Sequence, residues 1–334
     1  MKIVIDNRIP GLEEGIRTRH PEWEVRALEG SAITRDDVAD ADALIVRTRT
    51  ACDASLLKGS RVSLVGTATI GTDHIDLEWC EENGVDVASA PGCNAPAVMQ
   101  YVASTLHEAG FDPKTQTLGV IGKGHVGSLV TELYRKAGTR VLVCDPPRRE
   151  AGFTDEDYLT LEEVLAGSDA VTFHVPYTKG GAHPTHHLLG GTIPERPAII
   201  VNASRGSVAD PGFIIREGGK RKLIIDTWPF EEYPEEYDNE GRRTLIEAAF
   251  IATPHIAGYS IEGKRRGREA MLRALERHFG NGEVERIETE EQKYEIPSLE
   301  RVIASFDPLP LSKELKANPE HFERQRGSHL RPEA

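Results

Sequence analysis

A guanidinium, two carboxylates and a histidine stand just past short apolar runs in the second half of the chain. "IIVNASRG" leads to Arg205, "LIIDTWPFEE" leads to Asp226 and then Glu231, and "FIATPHIAGY" leads to His255. Removing a hydride from a secondary alcohol needs a base for the hydroxyl proton, and the reverse reduction needs an acid. An imidazole serves both directions near neutrality. A neighbouring carboxylate favours the imidazolium and orients the ring; spacing from Asp226 and Trp228 puts Glu231 there, with Glu232 as its rival. Arg205 suits a bidentate hold on a substrate carboxylate, polarising the adjacent carbonyl.

A partner for hydride chemistry is written further upstream. "TLGVIGKGHVGSLVTELYRKAGTRVLVCD" carries Gly122, Gly124 and Gly127 in G-x-G-x-x-G spacing, between a strand pattern and a helix pattern. A second strand follows and ends in Asp145, about 20 residues further on, as a dinucleotide fingerprint requires. Gly122 permits the tight turn, Gly124 lets backbone approach a pyrophosphate, and Gly127 lets helix meet strand. Asp145 can accept from ribose hydroxyls while repelling a 2′-phosphate, which favours NAD over NADP.

The elements that must hold these residues alternate along the chain. "KIVID", "EVRAL", "ALIVR", "VSLVG" and "VDVAS" precede residue 91; "TLGVIG", "RVLVCD", "AVTFHV", "AIIVNAS", "KLIIDTW" and "AFIATPH" follow it. Val- and Ile-rich runs separated by helical stretches predict parallel sheets covered by helices. Two α/β units are expected. "APGCNAPAVMQYVASTLHEAG" reads as a connecting helix with Asn94 as its N-cap, and "SIEGKRRGREAMLRALERHFG" as a long helix stopped at Gly280 that returns to the first unit. The boundaries fall at 1–93 plus 259–280, 94–258, and a charged, apolar-poor stretch 281–334 read as an appendage.

Composition narrows the classes. The 334 residues carry a net charge of −14, which argues against a nucleic-acid surface. No apolar run approaches the ~18–20 residues of a membrane span. "MKIVID" lacks the pattern of a secretory signal, so the cytoplasm is expected. Four scattered cysteines suggest neither a zinc site nor a disulfide framework, and "HPTHH" (183–187) reads as a loop of exposed histidines; no metal is expected.

"GKGHVG", "NASRG" and "TPHIAG", with "VGTATIGTDHID", "SAPGCNAPAV", "CDPPR", "TFHVP" and "PHIAGYSIEGKRRG", resemble the D-isomer-specific 2-hydroxyacid dehydrogenases over nearly the whole chain. The resemblance implies two Rossmann-like parallel-sheet domains, a flavodoxin-like substrate domain and an NAD-binding domain, with a short C-terminal dimerisation segment at 281–334 and hence a homodimer. It implies NAD-dependent oxidation of a 2-hydroxy acid by Arg205, Glu231 and His255, with His255 as acid/base. It implies NAD contacts from His125, Val126, Asp145, Val175, Ala203, Ser204, Arg205, Asp226 and Gly258, and substrate contacts from Thr48, Thr69 and Tyr259. "VRTRT", with Arg47 and Thr48 at a strand end, and the hydroxyls of "GTATIGT" make an anion pocket for a phosphorylated acid. Competing expectations are a relative acting on 3-phosphoglycerate or D-lactate, and an NAD-sensing binding protein of the corepressor type.

Overall fold

The computed structural model describes residues 1–191, 193–280 and 294–334. The chain divides into two units: Met1–Asn94 with Ser260–Lys293, of which 281–293 fall outside the described residues, and Ala95–Tyr259 with Tyr294–Ala334. The crossings therefore fall at Asn94/Ala95 and Tyr259/Ser260, each one residue later than sequence places them.

The first unit is a five-stranded parallel sheet of β1 (Lys2–Asp6), β2 (Glu24–Leu28), β3 (Ala43–Val46), β4 (Leu64–Thr67) and β5 (Asp86–Ala88). Its order, β2-β1-β3-β4-β5, is the flavodoxin-like one. Every residue of β3 and β4 is buried, as a strand covered on both faces requires. The long helix Ile261–Phe279 begins where Ser260 Oγ accepts from Gly263 N at 2.9 Å. Its apolar stripe, Met271, Leu272 and Leu275, packs with Ile3, Ile5 and Ile45, which is why the chain returns to this unit.

The second unit holds β6 (Thr117–Ile121), β7 (Arg140–Cys144), β8 (Ala170–Phe173), β9 (Ile199–Asn202), β10 (Lys222–Ile225) and β11 (Ile251–Ala252), all parallel, in the order β11-β10-β9-β8-β6-β7. Strand direction of travel across the sheet reverses between β6 and β8. Ligands of open parallel sheets sit outside the carboxyl ends of the strands at such a switch point. β11, read from sequence as a longer run, pairs through two residues before Thr253 turns the chain away.

The structure departs from the sequence expectation at two places. Asn94 does not cap the helix Ala95–Glu108; its Oδ1 is buried without a hydrogen-bond partner. The stretch 294–334 is not a loose appendage. Leu299 and Val302 join the core of Tyr101 and Val102, while Leu315 and Phe322 join that of Phe230 and Ile246. Its apolar residues are few, but short helices turn Leu299, Val302, Leu315 and Phe322 inward. In the "HPTHH" loop His187 is exposed, whereas His183 and His186 are half-buried; among the described residues no group of three or more His, Cys, Asp or Glu is placed to hold a metal ion.

Candidate active site

The glycine turn lies at the carboxyl end of β6. Gly122 takes a left-handed φ of 88°, and a Cβ there would come within 2.5 Å of His174 O. This close approach brings the end of β8, with half-buried Val175, beside the turn. Gly127 is tighter still, since an added Cβ would stand 1.9 Å from Gly122 O. A Cβ on Gly124 would meet nothing within 4 Å. Gly124 precedes the helix His125–Lys136, whose first amides have no side-chain cap. Open space over uncapped helix amides fits a dinucleotide pyrophosphate, which helix N-termini attract. His125 is exposed and Val126 half-buried on the same turn.

Asp145, just past β7, faces that turn. Its Oδ2 accepts from Lys123 N at 2.7 Å and its Oδ1 from Arg148 N at 3.0 Å, which starts the short helix Pro146–Glu150. The carboxylate stays half-exposed, with lone pairs left for ribose hydroxyls. Lys123, unremarked in the sequence reading, is buried and ion-paired to Asp155 and Glu156 at 2.9 and 3.0 Å.

Past β9, Asn202 shapes the loop carrying Ala203, Ser204 and Arg205. Its Oδ1 accepts from Ser204 N and Oγ, and its Nδ2 donates to Arg205 O at 2.9 Å. Glu232 closes the loop from the other side by accepting from Gly206 N at 3.0 Å and Ser207 N at 2.7 Å. Arg205 is left half-buried, donating through Nη1 to Ser204 O. Burial pushes the Glu232 carboxyl up, against the donors of Ser207 and Gly206.

The carboxylate rivalry is thereby decided. Glu232 is committed to the Arg205 loop, and Glu231 meets His255. Glu231 Oε1 accepts from Trp228 N at 2.9 Å, while Oε2 accepts from His255 Nδ1 at 2.7 Å. Burial pushes Glu231 up, but the His255 charge and hydrogen bond, Arg326 and the Trp228 amide outweigh it, and its carboxyl falls below the usual range. With Nδ1 donating to a carboxylate, Nε2 is the ring atom left to take or give a proton. The His255 side chain is 32% exposed.

His255 adopts φ 55°, a left-handed conformation that ordinary residues avoid at a cost of roughly 1–3 kcal/mol. Asp226 holds it there. Asp226 O accepts from His255 N at 2.8 Å, and its carboxylate accepts from Thr253 Oγ1, Ile256 N and Ala257 N at 2.6, 2.8 and 2.9 Å. Thr253 is fixed in turn by Tyr101 OH and by Trp228 Nε1, which donates to Thr253 O at 2.9 Å. The family resemblance implies Asp226 as an NAD contact; its side chain is fully buried, with the carboxylate held by three donors of this loop. Burial pushes it up, while the His255 charge and the three donors oppose that.

Gly258 and Tyr259 follow, both half-buried. Arg326, from the helix Phe322–Ser328, donates through Nε to Tyr259 OH at 3.1 Å and through Nη1 to Glu231 Oε2 at 3.2 Å. No spacing in the sequence connects Arg326 to Glu231.

The remaining expected contacts lie in the first unit. Arg47 follows β3, with Nε 3.5 Å from Asp6 Oδ2 and Nη1 donating to Arg8 O. Thr48 beside it is exposed. Thr69 Oγ1 lies 2.6 Å from Thr67 Oγ1 after β4. Lys264, in the first turn of the long helix, was missed from sequence. Burial holds its ammonium below the usual range, and the charge of Arg47 adds to the effect.

The sequence profile of the D-isomer specific 2-hydroxyacid dehydrogenase catalytic domain matches residues 3–287. The chain is 38% identical to the erythronate-4-phosphate dehydrogenase of Bacteroides fragilis (strain YCH46), across 98% of this chain and 96% of that one. It is 37% identical to the erythronate-4-phosphate dehydrogenase of Yersinia pestis (strain Pestoides F), across 94% and 81%. Among solved structures it is similar to NAD+-bound 3-phosphoglycerate dehydrogenase of Entamoeba histolytica, with TM-score 0.68, 25% identity and coverage of 85% and 97%. A likeness in fold extends to D-lactate dehydrogenase of Aquifex aeolicus complexed with NAD and lactic acid, at TM-score 0.61, 23% identity and coverage of 83% and 95%.

Proposed function

The chain belongs to the D-isomer specific 2-hydroxyacid dehydrogenase family, and from that premise we propose that it oxidises 4-phospho-D-erythronate to 2-oxo-3-hydroxy-4-phosphobutanoate with NAD, a step toward pyridoxal 5′-phosphate. The observation that carries the reaction type is the Glu231–His255 hydrogen bond at the carboxyl end of the second sheet. The substrate follows from relatives named for it that align with nearly the whole chain.

The roles follow from the chemistry of each group. NAD, when bound, accepts the hydride from C2. His255 Nε2 takes the C2 hydroxyl proton, and ionised Glu231 stabilises the imidazolium that results. Arg205 grips the substrate carboxylate. Gly124, His125 and Val126 receive the pyrophosphate on a turn that Gly122 and Gly127 shape, Asp145 the adenosine ribose, and Val175, Ala203, Ser204 and Gly258 line the cofactor with backbone and small apolar surface. Asp226 acts through the loop that it anchors.

A phosphorylated acid is supported within the first unit. Arg47 stands just past β3 and Lys264 in the first turn of the long helix of the same unit, two cations whose chemistry suits a phosphate. Thr48 and Thr69 offer hydroxyls in the same unit, and Tyr259 offers one in the second. Cytoplasmic location and a homodimer belong to the same proposal, supported by the biosynthetic character of the bacterial relatives and by the likeness of "ANPEHFERQRGSHLRPEA" to a dimerisation segment. The described helices include none long and apolar enough to cross a membrane.

The experiment is a panel of D-2-hydroxy acids assayed for NADH, pairing 4-phosphorylated acids with their dephosphorylated forms and including 3-phosphoglycerate and D-lactate. Preference for 4-phospho-D-erythronate supports the reading. Preference for 3-phosphoglycerate or D-lactate moves the enzyme elsewhere in the family, and no NADH with any acid favours an NAD-sensing protein.

A further inference from the structure

Two arginines of the C-terminal stretch reach the backbone and side chains around His255. Arg331 is 5% exposed, and each nitrogen of its guanidinium donates to oxygen. Nε donates to Gln100 Oε1 at 2.9 Å, Nη1 to Ile256 O and Tyr259 O at 2.8 and 3.3 Å with His329 Nε2 also 3.2 Å away, and Nη2 to Ala97 O and Ala257 O at 2.9 and 2.7 Å. Three of these oxygens belong to the four residues that follow His255. The Arg331 guanidinium also packs over the Phe306 ring at 4.4 Å. Burial lowers its affinity for the proton to about 10, so it remains a cation at neutral pH.

A buried cation is costly unless its donors are satisfied. Five donors in a fixed planar fork satisfy themselves on a loop only if the loop keeps one shape. Arg331 therefore constrains the backbone of Ile256, Ala257 and Tyr259, complementing the Asp226 carboxylate, which holds the amides of Ile256 and Ala257. The same peptide segment is gripped on its N–H side by an acid and on its carbonyl side by a base.

Arg326 acts on the side chains. Glu231 Oε2 receives two donors, His255 Nδ1 at 2.7 Å and Arg326 Nη1 at 3.2 Å, while Arg326 Nε also holds Tyr259 OH. A guanidinium on the same Glu231 oxygen fixes where the carboxylate points and offsets part of the charge that it offers to the imidazole. The other charged groups around this cluster are Asp226 beneath the loop, Glu232 turned to Ser207, Arg242 and Arg243 from the helix Asn239–Ala248, and Glu320 and Glu323 from the C-terminal stretch; Glu323 Oε1 lies 3.7 Å from Arg326.

We propose that the C-terminal stretch is a positioning element for the proton-transfer site of its own chain, in which Arg326 orients Glu231 and Tyr259 and Arg331 locks the Ile256–Tyr259 backbone. The proposal rests on the reading of His255 and Glu231 as the acid/base pair. It assigns to this stretch a task in cis, whatever its part in dimerisation.

The test is a titration of the His255 ring protons by NMR in the wild-type protein, Arg326→Gln and Arg326→Lys, with pH profiles of kcat and NAD affinity on the same samples. Removing the guanidinium leaves Glu231 Oε2 to the imidazole, so the His255 midpoint rises in Arg326→Gln and the acid limb of oxidation moves to higher pH. Arg326→Lys, which restores the charge without the fork, returns the midpoint toward wild type while kcat stays reduced. Misplacement of the pair lowers kcat by about 10- to 100-fold, with NAD affinity unchanged. Arg331→Lys, which cannot fill five acceptors, lowers kcat similarly without moving the oligomeric state. A His255 midpoint and pH profile unmoved in Arg326→Gln overturn the proposal, as does a change of oligomeric state as the sole effect. If Arg326→Gln does not fold, Arg326→Lys decides alone: wild-type kcat in that variant overturns it. Absence of NADH formation by the wild-type protein would defeat the dehydrogenase reading instead, and the NMR titration would still report on Arg326.

Discussion

Glu231 Oε2 lies 2.7 Å from His255 Nδ1, and the same carboxylate takes the Trp228 amide on its other oxygen. The backbone at Trp228 thus fixes the acid that fixes the imidazole. Trp228 is itself fully buried and bonded to Thr253 O, two residues before His255. Acid and base are therefore tied by two routes, one through side chains and one through the indole.

Glu231→Gln keeps the volume and the acceptor for Trp228 but removes the charge. The carboxylate favours the imidazolium, so its loss moves the acid limb of the oxidation profile to lower pH, and kcat falls by about two orders of magnitude. Profiles of kcat against pH for both proteins check this; superimposable profiles would show that Glu231 does not act on His255.

Asp145→Ala removes the group read as the ribose acceptor and also the cap on Pro146–Glu150. NAD affinity falls, and the ratio of NADP to NAD turnover rises because the repulsion of a 2′-phosphate is gone. Loss of the cap lowers stability by about 1 kcal/mol. Isothermal titration with both cofactors separates the effects; an unaltered cofactor ratio would contradict the ribose contact.

His174, after β8, carries a stability prediction. Burial drives its ring down to about 3 from 6.5, with Thr172 Oγ1 3.0 Å from Nε2. Below pH 6.5 the unfolded chain binds a proton on this ring that the folded chain refuses, so the native state loses stability as pH falls from 6.5 toward 3. His174→Gln removes that contribution. Urea melts at pH 7.5 and pH 5 should show a smaller loss on acidification in the variant; an equal loss would place the acid sensitivity elsewhere.

Much of this site is legible in the chain because local backbone chemistry dictates it. Gly122 and Gly127 are forced by contacts within a few residues or one strand away, and Asp145 must end the next strand. His255, Glu231 and Arg205 are readable as chemically loaded strand ends. The choice between Glu231 and Glu232 is not, since both share one turn and only the fold decides which meets Ser207. Asn94 departs for a related reason: a residue type suited to a cap says nothing of where tertiary packing turns its side chain. Arg326 and Arg331 are invisible because 95 residues separate Arg326 from Glu231, in a charged stretch without period or motif.

The central claim is that His255 transfers the proton in an NAD-dependent oxidation of a 4-phosphorylated 2-hydroxy acid. Its most direct test is NADH formation from 4-phospho-D-erythronate by His255→Ala, alongside NAD binding by the same protein. Turnover should fall by about 10²- to 10⁴-fold with NAD affinity essentially unchanged; turnover within a few-fold of wild type would contradict the account.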